Sequence, residues 1–405
     1  MQMVFQRGVF VGSAARSQPK RGTFALEPVE ALPRLADRIK RLAERSLETN
    51  PFFLPEFLEP AIQGLGTKAL RLALFSDRDD LHFFAPVVVH GGGILGGRAF
   101  TVWAHPYAPL GTPLIDRESA AQVTDSLLAH MRTSRRSVFS VPHLPLMSLT
   151  AEALRGAAER SGYSTVAEQQ MRPVLYPNAA GGLAEFDKMV NQKRRRELDR
   201  QMRRLCETGS VSSMSARTAT EIEAAFNMFI ALEAAGWKGR RGTALARRQS
   251  VQDFARTAVT QLAQSGLATI DVLRLGEKPI AALIRFEHAG TSIPWKVAFD
   301  EEFAAFSPGK QLMCDETRRW LADPTIVRVD PVCEEDNPLM APLWPEREPY
   351  GTLLIGSRKW SIGARWQAGF ANLKSAGKAG VKQLIRRRKL PAKRTKAASG
   401  TPTEQ

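Results

Sequence analysis

Between Leu267 and Phe299 the chain holds three apolar segments separated by only two short polar turns. The segments are Leu267–Leu275, Pro279–Phe286 and Ile293–Phe299, and the turns are Gly276-Glu277-Lys278 and His288-Ala289-Gly290. Connections this short join antiparallel neighbours, because a parallel crossover needs a dozen or more residues. An antiparallel meander is therefore predicted. The residues just beyond it are equally constraining. The third strand ends at Phe299-Asp300, and Ser307-Pro308-Gly309-Lys310 opens a helix predicted over 309–321. Ser307 suits the N-cap and Pro308 the first helical position. Gly309 would let a ligand approach the backbone closely, and Lys310 would add a full charge to the positive helix end, an arrangement that suits a pyrophosphate. The same residues also make a well-capped helix with no ligand. The phosphate loop of NTPases is excluded, since G-x-x-x-x-G-K-[ST] occurs nowhere.

Upstream of the meander, periodicity predicts three helices. The first, 192–207, has Leu198, Met202 and Leu205 on one face and ends at Gly209. The second opens on a capping box, Thr220-x-x-Glu223, and carries Ile222, Phe226, Phe229 and Ile230 up to Gly236. A basic loop, Trp237–Thr243, leads to a third helix over 245–264. A strand at 325–330 and an irregular Pro-rich stretch to Gly356 close this unit. The preceding part also mixes helices and strands. A helix over 28–48 is stopped by Asn50-Pro51, strands are predicted at 70–75, 82–89, 100–103 and 138–141, and helices at 118–131 and 151–161. The expected organisation is a flexible arm over 1–27, one α/β or α+β unit over 28–180, a second over 181–356 and a tail over 357–405. The arm has Arg7, Arg16, Lys20 and Arg21 without an acid, but glycines interrupt any signal-like apolar run.

Charge divides along the same lines. The formal charge is +16, of which Arg358–Gln405 contributes +12 and Lys188–Arg204 another +6, leaving the remainder at −2. A pI near 10 spread over a folded face would suggest a nucleic-acid binder; here it is one tail and one helix. In the tail, Trp360, Ile362, Trp366, Phe370 and Leu373 are interleaved with Lys and Arg. That composition fits an amphipathic segment on an anionic membrane surface, assigned to 358–396, or a solvated tail without a partner. Stacking on nucleic acid ranks behind both. No apolar run approaches the ~18 residues of a membrane-spanning helix. The cysteines Cys206, Cys314 and Cys333 lie far apart, with no ligand spacing among them or the six histidines. Reduced thiols, a cytoplasmic location and no metal are expected.

Four stretches carry a family resemblance. They are Lys193-Arg194-Arg195-Arg196-Glu197-Leu198 through Leu205; Leu232-Glu233-Ala234-Ala235-Gly236-Trp237-Lys238-Gly239 with Gly242-Thr243-Ala244-Leu245; Lys278-Pro279-Ile280-Ala281-Ala282 with Trp295-Lys296, Phe299-Asp300 and Ser307-Pro308-Gly309; and Asp330 with Leu343-Trp344-Pro345-Glu346-Arg347 and Leu353-Leu354-Ile355. On these the sequence resembles the GNAT-like acetyltransferase family associated with bacterial cellulose and exopolysaccharide biosynthesis. It is distantly similar to the Fem-type aminoacyl transferases of cell-wall bridges. A weaker match, Asn50-Pro51-Phe52-Phe53 with Pro109-Leu110-Gly111-Thr112-Pro113-Leu114, suggests a degenerate first GNAT-like half.

The resemblance implies an α+β, tandem GNAT-like fold with a mixed sheet flanked by helices. It implies acyl transfer from a CoA thioester, acetyl-CoA as co-substrate, to an amine or hydroxyl of an envelope or exopolysaccharide precursor. The acceptor would attack directly, with a strand N–H polarising the carbonyl. One departure stands out: the glycine-rich phosphate loop of mainstream GNAT enzymes is replaced by Ser307-Pro308-Gly309-Lys310. Candidate catalytic residues are Asp300, at the strand end, and Glu233. Ser307, Gly309, Lys310 and Trp295 are the donor-binding candidates, and Trp237, Lys238 and Glu334 the acceptor-binding ones. Each has a plain structural alternative: a turn aspartate, solvated carboxylates, core tryptophans. Cys206 and Cys314 fall inside helices and read as structural. Two other functions compete: a Fem-like transferase using charged tRNA, and a non-catalytic scaffold docking on a membrane-bound synthase.

Overall fold

The computed structural model describes residues 22–66, 69–77, 80–90, 99–132, 137–179, 181–183 and 186–357. The tail from residue 358 on, including the segment 358–396 expected on a membrane surface, and most of the predicted arm lie outside the described residues. In the first half the strands are β1 (Thr23–Pro28), β2 (Leu70–Ser76), β3 (Leu81–His90), β4 (Ala99–Val102), β5 (Leu114–Ile115), β6 (Val138–Pro145) and β7 (Tyr163–Pro173). Helices α1 (Leu32–Arg45), α2 (Pro55–Leu65), α3 (Ala120–Arg132) and α4 (Leu149–Arg160) flank them. The second half begins with α5 (Phe186–Met189), α6 (Gln192–Thr208), β8 (Val211–Ala216), α7 (Ala219–Ala235), α8 (Trp237–Arg241) and α9 (Gln249–Gln264). The predicted meander comes next as β9 (Ala268–Leu275), β10 (Lys278–His288) and β11 (Thr291–Phe299), then α10 (Pro308–Ala322), β12 (Arg328–Val329) and β13 (Arg347–Ser357).

Two mixed sheets result. The second runs β12-β11-β10-β9-β8, antiparallel except for β11 with β12. The first runs β1-β2-β3-β4-β6-β13-β7, with β5 beside β3. Its central pair β4 and β6 is parallel, so each sheet has one parallel step at the equivalent place. The last strand, β13, leaves the second half and inserts between β6 and β7 of the first, paired to β7 from Arg347–Pro173 to Ser357–Tyr163. This stretch reads as irregular in sequence because of Pro345, Pro349 and Gly351. Yet Glu348, Tyr350, Leu353 and Ile355 are buried, the period of a strand with a bulge between Gly351 and Leu353. Gly351 is obligatory, since a Cβ there would stand 1.5 Å from the Glu168 carbonyl oxygen. Gly351→Ala is expected to lose about 1–3 kcal/mol in urea unfolding, through overpacking at this seam.

Other differences are local. The capping box is Thr218 with Glu221, two residues before the predicted one. The basic loop forms the short helix α8, and the third helix starts at Gln249 after a 3-10 turn. Residues 23–27 of the predicted arm belong to strand β1, paired to β2.

A single apolar core joins the halves. Phe52 and Phe57, from the first half, pack edge-on against Phe254, Phe286 and Trp295 of the second at 5.3–6.1 Å. Such pairs add about 0.5–1.5 kcal/mol each beyond area burial. The other face of the second sheet packs Leu273, Ile280, Ala281 and Leu283 against α6 and α10 through Leu198, Leu205, Leu312 and Trp320. Among the described residues no helix is long and apolar enough to cross a membrane.

Candidate active site

The decisive geometry is at β11. Asp300 N–H donates to the Ile280 carbonyl at 2.9 Å, which makes this pair a hydrogen-bonded one in the antiparallel ladder with β10. Alternation then turns the backbone groups of Val297 and Phe299 toward the opposite edge. On that edge β12 pairs only with Thr291 and Ser292 before the strands part. The result is a V-shaped opening with the Val297 N–H and C=O directed into it.

A bulge shapes the same spot. Ile284 pairs with Lys296 and Arg285 with Pro294, so Trp295 is the extra residue. A bulge places its two residues on one side, and both Trp295 and Lys296 face α7. The Lys296 ammonium lies 5.2 Å from the ring centres of both Trp295 and Tyr107. Burial, reinforced by the neighbouring Lys238 charge and opposed by Glu233, pushes its pKa down to about 8. A lysine of that pKa is about half neutral at pH 8, where an ordinary one is almost wholly charged. Sequence reading misses this role, although Trp295-Lys296 belongs to a family-matching stretch. The signal it offers is a lysine inside an otherwise apolar strand.

Glu233 is buried, with Oε1 accepting from Lys238 Nζ at 3.1 Å and Oε2 from the Leu245 N–H at 2.8 Å. Lys238 Nζ also donates to the Val297 carbonyl at 2.9 Å, so it reaches the V itself. Trp237, 42% exposed, opens α8 beside it, its N–H on Glu301 and Arg241 5.0 Å over its ring. Glu233, Trp237, Lys238 and Lys296 are thus brought together at one opening.

The remaining candidates lie around this group in other structural settings. Asp300 accepts from the Glu302 N–H at 3.0 Å and pairs with Lys278 at 2.9 Å, so it caps the 3-10 turn after β11. Trp295 is a core residue, its Nε1 donating to the Tyr107 carbonyl at 2.7 Å. Ser307 holds the N-cap position of α10 but with a left-handed backbone, φ 52°, and no side-chain cap bond. Its carbonyl instead takes the N–H groups of Lys310 and Gln311. Because Pro308 has no N–H, the first turn presents fewer donors than a helix start usually does. Gly309 faces Val297 and Phe299, where an added Cβ would make ordinary contact at 3.4 Å. Lys310 and the helix dipole are what this end offers a pyrophosphate. Glu334 lies in the exposed loop after β12.

Cys314 and Cys333 are poor nucleophiles: burial pushes both thiols up to about 12. Among the described residues no cluster of three His, Cys, Asp or Glu could hold a metal.

Residues 192–337 match the model of the acetyltransferase (GNAT) domain. The fold is GNAT-like. It extends beyond the matched segment, because two solved structures share it over most of the chain. The C-terminal domain (DUF2156) of a putative lysylphosphatidylglycerol synthetase from Agrobacterium fabrum is 11% identical, with a TM-score of 0.50 over 83% of this chain and 96% of that one. FemX is 8% identical, with a TM-score of 0.52 over 79% and 95%. At these identities the likeness is one of fold. No curated protein matches the chain by sequence. In the matched segment the parting of β11 from β12 and the α10 start lie side by side, which makes this the candidate active site.

Proposed function

We propose that this protein moves an acetyl or other acyl group from a CoA thioester to an amine or hydroxyl of a cell-envelope or exopolysaccharide precursor. The observation that carries the reading is the open edge of β11, with Val297 directed into it beside a lysine that is partly neutral near pH 8. Neutral Lys296 takes the proton as the acceptor nitrogen or oxygen attacks the thioester carbonyl. The Val297 N–H donates to the developing oxyanion, and collapse of the tetrahedral species expels the CoA thiolate. Glu233 acts through Lys238 and Lys296 by its charge. Lys310 and the α10 dipole hold the pyrophosphate, and Trp237, Lys238 and Glu334 serve the acceptor. When the donor's amide groups pair with Val297, Lys238 gives up its carbonyl contact. A cytoplasmic setting at the inner face of the plasma membrane fits the basic, aromatic composition of residues 358–396.

Acetyl-CoA titration tests the donor. At about a hundred times Kd it adds about 2.7 kcal/mol to stability, a rise of several degrees in Tm. Absence of any shift at millimolar acetyl-CoA, with folded protein, overturns the CoA reading.

One observation favours a second reading, aminoacyl transfer from charged tRNA. On α6, Lys193, Arg196, Arg200, Arg203 and Arg204 are exposed along one arc, and of these Arg200 pairs with Glu197 at 2.7 Å. A polyanion held there would bind with an affinity that falls steeply with salt.

A further inference from the structure

The motif pair Asn50 and Pro109–Leu114, which the proposed reaction does not use, leads directly to Lys296. Residues His105–Ala108 form a tight turn, with the Ala108 N–H on the His105 carbonyl at 2.8 Å. Pro106 presets the first corner and Tyr107 stands at the second. The Tyr107 N–H donates to His105 Nδ1 at 3.3 Å. Burial holds the His105 pKa down to about 4, so at neutral pH that nitrogen stays an acceptor.

The segment behind the turn is fixed from two sides. Asn50 is buried, and its amide donates to the carbonyls of Leu110 at 3.1 Å and Thr112 at 2.9 Å. Its Oδ1 meanwhile accepts from the Phe52 N–H. Gly111 sits so close to β6 that a Cβ would lie 2.2 Å from the Pro142 carbonyl oxygen. β4 and β6 pair only from Ala99–Val138 to Thr101–Ser140, so this segment lies against β6 beyond their parallel step. The turn thus held delivers Tyr107 to the second half. Its carbonyl receives Trp295 Nε1, its ring packs 5.9 Å from Phe254, and its π face lies 5.2 Å from the Lys296 ammonium.

We infer that the first half takes part in the reaction by seating Lys296: the Pro106-Tyr107 turn, clamped by Asn50 and Gly111, is a positioning device that holds this amine between two aromatic rings at the mouth of the V. The charged and titratable groups facing Lys296 are Glu233 from α7, Lys238 from α8 and the Tyr107 phenol. Tyr107 is a positioning residue, since it acts through Lys296. The inference rests on the proposed role of Lys296, but its test does not need a donor.

The full-length protein is labelled with trace acetic anhydride from neutral to alkaline pH, and the Lys296 peptide is quantified by mass spectrometry. The wild type should inflect near 8. Tyr107→Phe keeps ring and carbonyl and leaves the inflection in place. Tyr107→Leu keeps the site apolar but removes the π face, so the inflection falls by roughly half a unit, about a threefold change in neutral fraction. Asn50→Ala loosens the turn and admits water, moving the inflection up toward the ordinary lysine value of 10.5. An inflection unchanged in Tyr107→Leu, with circular dichroism and Tm of a folded protein, overturns the inference, and this substitution at a turn decides it even if Asn50→Ala fails to fold. Loss of acetyl-CoA binding in the wild type would count against the donor reading and leave these shifts standing.

Discussion

Lys296→Met is expected to lower turnover by about 100- to 10,000-fold, the contribution of a positioned general base. Lys296→Arg should not restore it, because a guanidinium stays charged across the working range and cannot accept a proton. The wild-type kcat/KM should rise with pH and level off above an inflection near 8, where Lys296 becomes neutral; Lys296→Met loses that inflection. Glu233→Gln moves it down, since the Glu233 charge favours the ammonium. The same titration acts on stability. The folded pKa lies below the ordinary 10.5, so between about 8 and 10.5 the folded state binds fewer protons than the unfolded one. Stability therefore rises with pH across that window, and below it the charged, largely desolvated lysine is a cost. Lys296→Met should accordingly raise Tm at neutral pH while abolishing activity. A merely structural lysine predicts neither the lost inflection nor this trade. A measured rate within threefold of wild type would remove Lys296 from the chemistry and leave another group to take the proton.

The parts of this arrangement that are local were legible in the sequence. The meander declares itself through apolar runs and turns too short for crossovers, and the start of α10 through Ser307-Pro308-Gly309. The capping box illustrates the limit of local pattern, because Thr218-x-x-Glu221 and Thr220-x-x-Glu223 overlap in the same six residues. The earlier one prevails, lengthening the helix by a further two residues ahead of the apolar stripe of Ile222, Phe226 and Phe229. What was not legible is long-range. Strand β7 is mostly polar at a sheet edge, with Glu168, Gln169 and Gln170 in its middle, so it lacks a strand's apolar alternation. Its identity depends on β13, whose Pro349 and Gly351 read as loop residues until a partner strand is placed beside them. The site shows the same division. Glu233, Trp237 and Lys238 sit in one recognisable segment, whereas Lys296 lies against the ring of Tyr107, whose carbonyl takes Trp295 from 188 residues further on. No spacing rule connects such residues; only the shared core of the two halves does.

The seam that closes the fold should be the most sensitive place to break it. Arg172 on β7 and Asp330 after β12 are fully buried and 2.7 Å apart. Arg328 also reaches Asp330 at 2.7 Å, and both arginines approach Glu348 of β13, which accepts from the Tyr176 hydroxyl at 2.9 Å. Burial alone would raise the Asp330 pKa, but Arg172 and Arg328 beside it hold it below the usual 3.8. The carboxylate thus contributes its full stabilisation above the unfolded value and loses it as pH falls through the lower folded one. Asp330→Ala leaves two buried guanidinium groups facing Glu348 alone, and Arg172→Met leaves Asp330 short of one cation. Removing one partner of such a buried set costs about 3–5 kcal/mol, because the remaining charge stays buried without its counter-ion. Urea unfolding should show that loss for each, with Asp330→Ala the larger. The double substitution should cost less than the sum, since each removes the penalty left by the other. Additive losses would mean that the two charges do not stabilise one another. In that case β13 is held between β6 and β7 by its ladder and by Leu353 and Ile355.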